Sequence, residues 1–132
     1  MCIRDRGRSD SGISGDKTNP VWLSATGSNS YDYWIIKLTN TGEIEWQKDY
    51  GGINFDQGFK VRQTMDMGYL VAGEMSGPGG DLIENGNNDT DLWVLKLDPS
   101  GNIIWQNVIG GQGFDASRGL AISTDGSFAV SS

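Results

Sequence analysis

The chain has 132 residues and a formal net charge of −7, a length that fits a single domain or a portion of one. Its 36% hydrophobic content can fill a buried core, and its acidic balance argues against nucleic acid or an anionic membrane surface as the main partner. The sequence has no run of about 18 apolar residues to insert into a membrane, and it has no histidine, the usual general base and zinc ligand.

Met1-Cys2-Ile3-Arg4-Asp5-Arg6 lacks the apolar h-region of a signal peptide. It matches the translation of ATG-TGT-ATA-AGA-GAC-AG plus a purine, a string that resembles a transposon-end adapter. Residues 1–6 are therefore expected to be a non-native segment with no structural role, and the native chain is expected to continue upstream. On this reading Cys2 supplies no disulfide, metal ligand or nucleophile. Residues 7–31 are polar and turn-rich, with Trp22 between Val21 and Leu23.

Short strands follow. Residues 33–38 form an apolar run rich in β-branched and aromatic side chains. Thr39-Asn40-Thr41-Gly42 makes a turn into a strand over 44–50, where Ile44 and Trp46 share a face. The glycine pair Gly51-Gly52 precedes a strand over 58–63, and Met65-Asp66-Met67-Gly68 turns the chain into a strand over 69–73. The pattern then recurs as strands over 92–97, 103–109, 118–122 and 128–131. The connection Asp98-Pro99-Ser100-Gly101 has the composition of a type I turn. No segment sustains a 3.6-residue apolar period, so no long helix is expected.

Residues 32–73 align without a gap on residues 91–132 at an offset of 59, and 14 of the 42 pairs are identical. Such a period signals a solenoid, propeller or array. Four strands per unit, joined by tight hairpins, suit a propeller blade better than a parallel β-helix, whose rungs are shorter. The fold is expected to be all-β: a β-propeller fragment of four-stranded antiparallel blades with a 59-residue repeat. Residues 7–31 would hold the end of a preceding blade and an inter-strand loop. Residues 32–132 would hold a half blade, a whole blade and a half blade, truncated at both ends, with Gly51-Gly52 and Gly110-Gly111 at the crossings. Trp34, Ile36, Leu38, Trp46, Trp93, Leu95, Leu97 and Trp105 are the expected core.

The motif Asp-x-Trp-[Ile/Val]-x-Lys-Leu-x-x-x-Gly-x-Ile-x-Trp-Gln runs from Asp32 and again from Asp91. Gly-Gly-x-x-Phe-Asp follows in both copies, then Asp-x-Gly-Tyr-x-Val-Ala-Gly from Asp66. Together these resemble the β-propeller repeat of large secreted bacterial proteins, which often carry a type IX secretion sorting domain. Ser14-Gly15-Asp16-Lys17 and Gly80-Asp81-Leu82 resemble the loop before the Asp-x-Trp strand in that family. Met67 and Ser127 depart from it, standing where glycine is usual. The resemblance implies an extracellular or cell-surface location and neighbouring blades of the same chain as partners.

Candidate chemistry is sparse. The acidic loop over 81–91 offers Asp81, Asn85, Asn87 and Asp89 as ligands for a hard cation such as calcium. It lacks EF-hand spacing, and a solvated, turn-rich surface loop is the simpler reading. Thr64-Met65-Asp66-Met67-Gly68 resembles the Asp-box hairpin of sialidase-type propellers, where the aspartate caps a turn. A sialidase would also need an arginine cluster, whereas residues 7–132 hold only Arg8, Arg62 and Arg118. Trp34, Trp46, Trp93 and Trp105 are spaced alike in both copies, which favours packing over sugar stacking; Trp22 is the better exposed candidate. Lys37 and Lys96 recur with Asp32 and Asp91, which suggests a repeated ion pair or strand-edge charge.

The expected role is a non-catalytic structural or binding scaffold that meets an extracellular protein or glycan, with no cofactor beyond the calcium candidate. The rival expectation is the propeller domain of an extracellular carbohydrate-active hydrolase or lyase. An enzyme should break the repeat with unrepeated acid, base or tyrosine residues, whereas this chain repeats many of its charged positions.

Overall fold

A computed structural model describes residues 8–9, 13, 15–18, 30–77, 81, 90–115 and 119–131. Among these the chain forms strands β1 (Arg8–Ser9), β2 (Asp32–Leu38), β3 (Ile44–Tyr50), β4 (Asp56–Gln63), β5 (Tyr69–Ser76), β6 (Thr90–Leu97), β7 (Ile103–Ile109), β8 (Gly119–Ile122) and β9 (Phe128–Ser131), and no helix. All strand pairs are antiparallel. They build a three-stranded sheet β1-β2-β3, a four-stranded sheet β4-β5-β6-β7 and a two-stranded sheet β8-β9. The chain leaves one sheet for the next at Gly51-Gly52 and at Gly110-Gly111, as expected. The expectations for residues 1–6, Trp22 and Arg118 lie outside the described residues.

The hairpins are set by local chemistry. Gly101 N–H donates to the Asp98 carbonyl at 3.0 Å, closing the turn between β6 and β7. Asp98 Oδ1 accepts from the N–H groups of Ser100 and Asn102, both at 2.8 Å. Gly101 sits at φ +80°, a conformation in which a Cβ is disfavoured. The β2–β3 turn has the same closure, from Gly42 N–H to the Thr39 carbonyl at 3.1 Å. Each of these hairpins carries a register shift, at Lys37/Leu38 and at Lys96/Leu97, that accommodates one extra residue.

The middle sheet is apolar on both faces because it is covered on both. Tyr69, Val71, Met75, Trp93, Leu95 and Leu97 face the first sheet, where Tyr33 and Tyr50 meet them. Leu70, Ala72, Leu92 and Val94 face the third sheet through Leu120, Ile122 and Val130. Two-sided burial replaces the polar alternation of a solvated strand with a continuous apolar run.

The first and second sheets are also stitched by the β6–β7 turn. Tyr50 Oη donates to the Gly101 carbonyl at 2.6 Å, Trp46 Nε1 to the Pro99 carbonyl at 3.0 Å, and Lys48 Nζ to Asn102 Oδ1 at 2.6 Å. Trp46 also meets Tyr69 edge-on, with ring centroids 5.6 Å apart.

The expected core needs correction at two positions. Trp93, Leu95 and Leu97 are buried, and Trp34, Ile36 and Trp46 are half-buried, but Leu38 is 40% exposed and Trp105 is 38% exposed. Leu38 lies on the face of the first sheet that no described strand covers. Trp105 occupies in β7 the place of Trp46 in β3, but no described turn meets it; its neighbour is Phe128, stacked at 5.9 Å.

Candidate functional site

The hairpin joining β4 to β5 behaves as an aspartate-capped turn. Asp66 Oδ1 accepts from Gly68 N–H at 3.2 Å, from Lys96 Nζ at 2.8 Å and from Thr64 Oγ1. These bonds hold its carboxyl at a pKa lowered to about 2, led by the lysine. The β8–β9 turn repeats the cap, with Asp125 Oδ1 accepting from Ser127 N–H at 2.9 Å and from Ser127 Oγ at 2.6 Å. Asp66 spends its Oδ1 on donors of its own turn and on Lys96, and Asp125 spends its Oδ1 on Ser127, a structural use.

The lysines take partners other than the expected Asp32 and Asp91. Lys37 pairs with Glu45 across the β2–β3 ladder at 2.6 Å. Lys96 reaches over the sheet to Asp66 and also donates to Thr64 Oγ1 at 2.6 Å. The recurrence at a 59-residue spacing therefore marks equivalent backbone positions and not one repeated ion pair.

Of the candidate cation ligands, Asn85, Asn87 and Asp89 lie outside the described residues. Asp81 is described, and it is engaged in joining elements. Its N–H donates to the Gly51 carbonyl at 2.8 Å, its carbonyl accepts from Gln106 Nε2 at 2.7 Å, and its Oδ2 accepts from Gly51 N–H at 3.3 Å. Asp16 has the matching role in the preceding sheet, accepting from Gln47 Nε2 on its carbonyl. Each glutamine also accepts from a tryptophan: Trp34 Nε1 to Gln47 at 3.1 Å and Trp93 Nε1 to Gln106 at 3.0 Å. The tryptophan spacing thus serves packing and loop anchoring. Among the described residues no group of three acidic or cysteine side chains is placed to hold a metal ion.

One acidic feature was not singled out in the sequence. Asp32 and Asp56 are both fully buried where the chain crosses from the first sheet to the second. A Cβ on Gly51 would stand 2.5 Å from Asp32 Oδ1 and 3.0 Å from Asp56 Oδ2, so glycine lets the backbone pass between the carboxylates. Asp56 Oδ2 accepts from Gly52 N–H at 2.6 Å, and Oδ1 from Ser76 N–H at 3.4 Å. Burial raises its carboxyl to about 7 against the lowering effect of the Gly52 bond, with the Asp32 and Asp81 charges adding to the rise. The signal was present: Asp32, Gly51, Gly52 and Asp56 all recur 59 residues later, and Asp115 Oδ2 again accepts from Gly111 N–H at 3.0 Å.

A cavity of about 350 Å3 opens beside β2 and is lined chiefly by Tyr33, Trp34, Ile36, Leu38, Val61 and Val71, with Asp16 and Lys60 as its charged members. Arg62 lies on β4 and Arg8 on β1.

The described chain is thus all-β and antiparallel, with acidic side chains that cap turns and crossings and an apolar surface beside β2. No protein-family model and no curated protein sequence matches it. Among the described residues no helix is long and apolar enough to cross a membrane.

Proposed function

We propose that the chain forms consecutive blades of a β-propeller that serves as a non-catalytic structural or binding scaffold in a secreted or cell-surface bacterial protein. The observation that carries this reading is the recurrence of one bonding plan every 59 residues. Asp56 N–H donates to the Tyr31 carbonyl and Asp115 N–H to the Thr90 carbonyl, both at 2.7 Å. The caps at Gly52 and Gly111, the aspartate-capped hairpins and the tryptophan–glutamine pairs recur in the same way. Four-stranded antiparallel sheets packed face to face on both neighbours are how propellers protect their strands.

On this reading the natural partners are neighbouring blades, and exposed loops meet an extracellular protein or glycan. The acidic side chains hold turns in place, which supports a scaffold over a hydrolase. The test is to recover the longer reading frame, express it and image it. A closed ring of blades is the expected outcome; an extended solenoid would refute the proposal. Turnover of a polysaccharide by the ring, abolished by Asp56→Asn, would refute the scaffold role.

A further inference from the structure

We propose that Lys17 and Asp49 condense into an intramolecular isopeptide bond, a covalent tie from the segment before β2 to strand β3. Both residues belong to the first sheet and the segment that leads into it, so the tie is independent of how the sheets are arranged.

Asp49 stands opposite Trp34 in the β2–β3 ladder. Lys17 reaches the same place from the segment before β2. Its Nζ donates to Asp49 Oδ1 at 2.8 Å and lies 5.8 Å from the centroid of the Trp34 ring. The two side chains are each 3% exposed, although they are 32 residues apart in sequence. Among the described residues Lys17 is the one buried lysine.

Two buried charges regain by attraction little more than they lose in desolvation, unless their remaining polar atoms are bonded as well. Asp49 Oδ2 is buried and has no hydrogen-bond partner among the described residues. Nor does the architecture require the pair. At the equivalent place in the second sheet Trp93 stands opposite Val108, which packs against the core there. Lys17 and Asp49 therefore break the 59-residue plan, and they break it with an amine and an acid in contact.

These two groups are the reactants of an amide. Within the hydrogen bond a proton passes from the Lys17 ammonium to the Asp49 carboxylate, leaving a neutral amine and a carboxylic acid. The nitrogen lone pair attacks Cγ and the N–C bond forms. A second proton then passes from nitrogen to the departing hydroxyl as the C–O bond breaks, and one water is released. No oxidant, reductant or other co-reactant is consumed. Burial raises the Asp49 carboxyl against the lowering effect of the Lys17 bond, and the Asp81 charge adds to the rise, which favours the protonated acid that the step needs. A nitrogen bonded to a carboxyl oxygen stands near the roughly 3–3.5 Å separation from which attack begins, and reactants held so reach an effective concentration of about 10⁵–10⁸ M. Joined, the two side chains bear no charge, and residues 17–49 become a closed ring that fastens β2 and the segment before it to β3. The titration of Asp49 then belongs to the chain before closure.

Intact mass spectrometry of the folded, reduced 132-residue chain tests this. The mass should fall short of the sequence mass by one water, about 18 Da. Trypsin should leave the chain uncut after Lys17 and yield a branched peptide that joins the Lys17 and Asp49 segments. Lys17→Arg keeps a cation beside Asp49 but does not condense, so it should show the full sequence mass with an unchanged circular dichroism spectrum. Asp49→Ala should also show the full mass. A folded parent chain at its full sequence mass, cut by trypsin after Lys17, would overturn the proposal. So would a water loss that persists in Lys17→Arg, because it would then arise elsewhere in the chain.

Discussion

At the scale of single residues, two positions carry the clearest consequences. Met67 is the one non-glycine residue at positive φ among the described residues, at +65°, in the turn whose counterpart uses Gly126 at +87°. A side chain in that conformation costs about 1–2 kcal/mol, partly offset by the chain entropy a glycine loses on folding. Met67→Gly is therefore expected to stabilise the fold by about 1 kcal/mol, read as a higher urea midpoint. Asp56 sets a pH dependence. With its native carboxyl raised to about 7 from 3.8, the folded state binds the proton more tightly than the unfolded chain does. Stability should then fall as pH rises from about 4 to about 7 and level off above, over a span on the order of 4 kcal/mol. Burial raises Asp49 as well, which adds in the same direction. Asp66, Asp98 and Asp125 are lowered and act only below about pH 4. Asp56→Asn should flatten the melting temperature between pH 4 and 7; an unchanged slope would refute this account.

At the scale of elements, equivalent strands differ by what lies beside them. Trp93 in β6 is enclosed, with Tyr33 4.9 Å away, and Trp93→Ala should cost about 3–5 kcal/mol. Trp46 in β3 has the Pro99 turn and Tyr69, whereas Trp105 in β7, 38% exposed, has Phe128 as its ring neighbour among the described residues and should cost about 1–2 kcal/mol when truncated. Urea melts of the three alanine variants at high dilution should rank them Trp93, Trp46, Trp105. The sequence pattern places the strands closely, with the bounds of β3, β7 and β9 falling where the apolar runs and turn residues put them. It starts β4 two residues late, because Asp56 is a charged residue drawn into the strand by its bond to Tyr31. It puts the end of a preceding blade within residues 7–31 but gives β1 no bounds, since Arg-Ser carries no strand signal; the strand is defined by its pairing with Tyr33 and Asp32. The exposure of Leu38 and Trp105 is not legible, because equivalent strands are buried or bare according to neighbours that periodicity does not name. The lysine partners are hidden for a similar reason: Glu45 and Asp66 are brought near by hairpin register and sheet packing, not by sequence spacing.

At the scale of the whole molecule, protection should follow the number of covered faces. The middle sheet is buried on both sides, so amides of β5 and β6 should exchange with solvent slowest, and those of β8–β9 fastest. Mass-resolved hydrogen exchange checks the order, and equal protection of all three sheets would contradict the layered packing. The stitch from Tyr50, Trp46 and Lys48 to the β6–β7 turn has a further consequence. It ties the first sheet to the second and to no other described sheet, so with face-to-face packing of the second sheet on the third the energetics reduce to a row of coupled units with nearest-neighbour terms only. In such a row the coupling term, more than the stability of a single sheet, sets how sharply the whole unfolds. Weakening one stitch, as in Tyr50→Phe, should broaden the transition before it lowers the midpoint, with the first sheet melting as a separate unit.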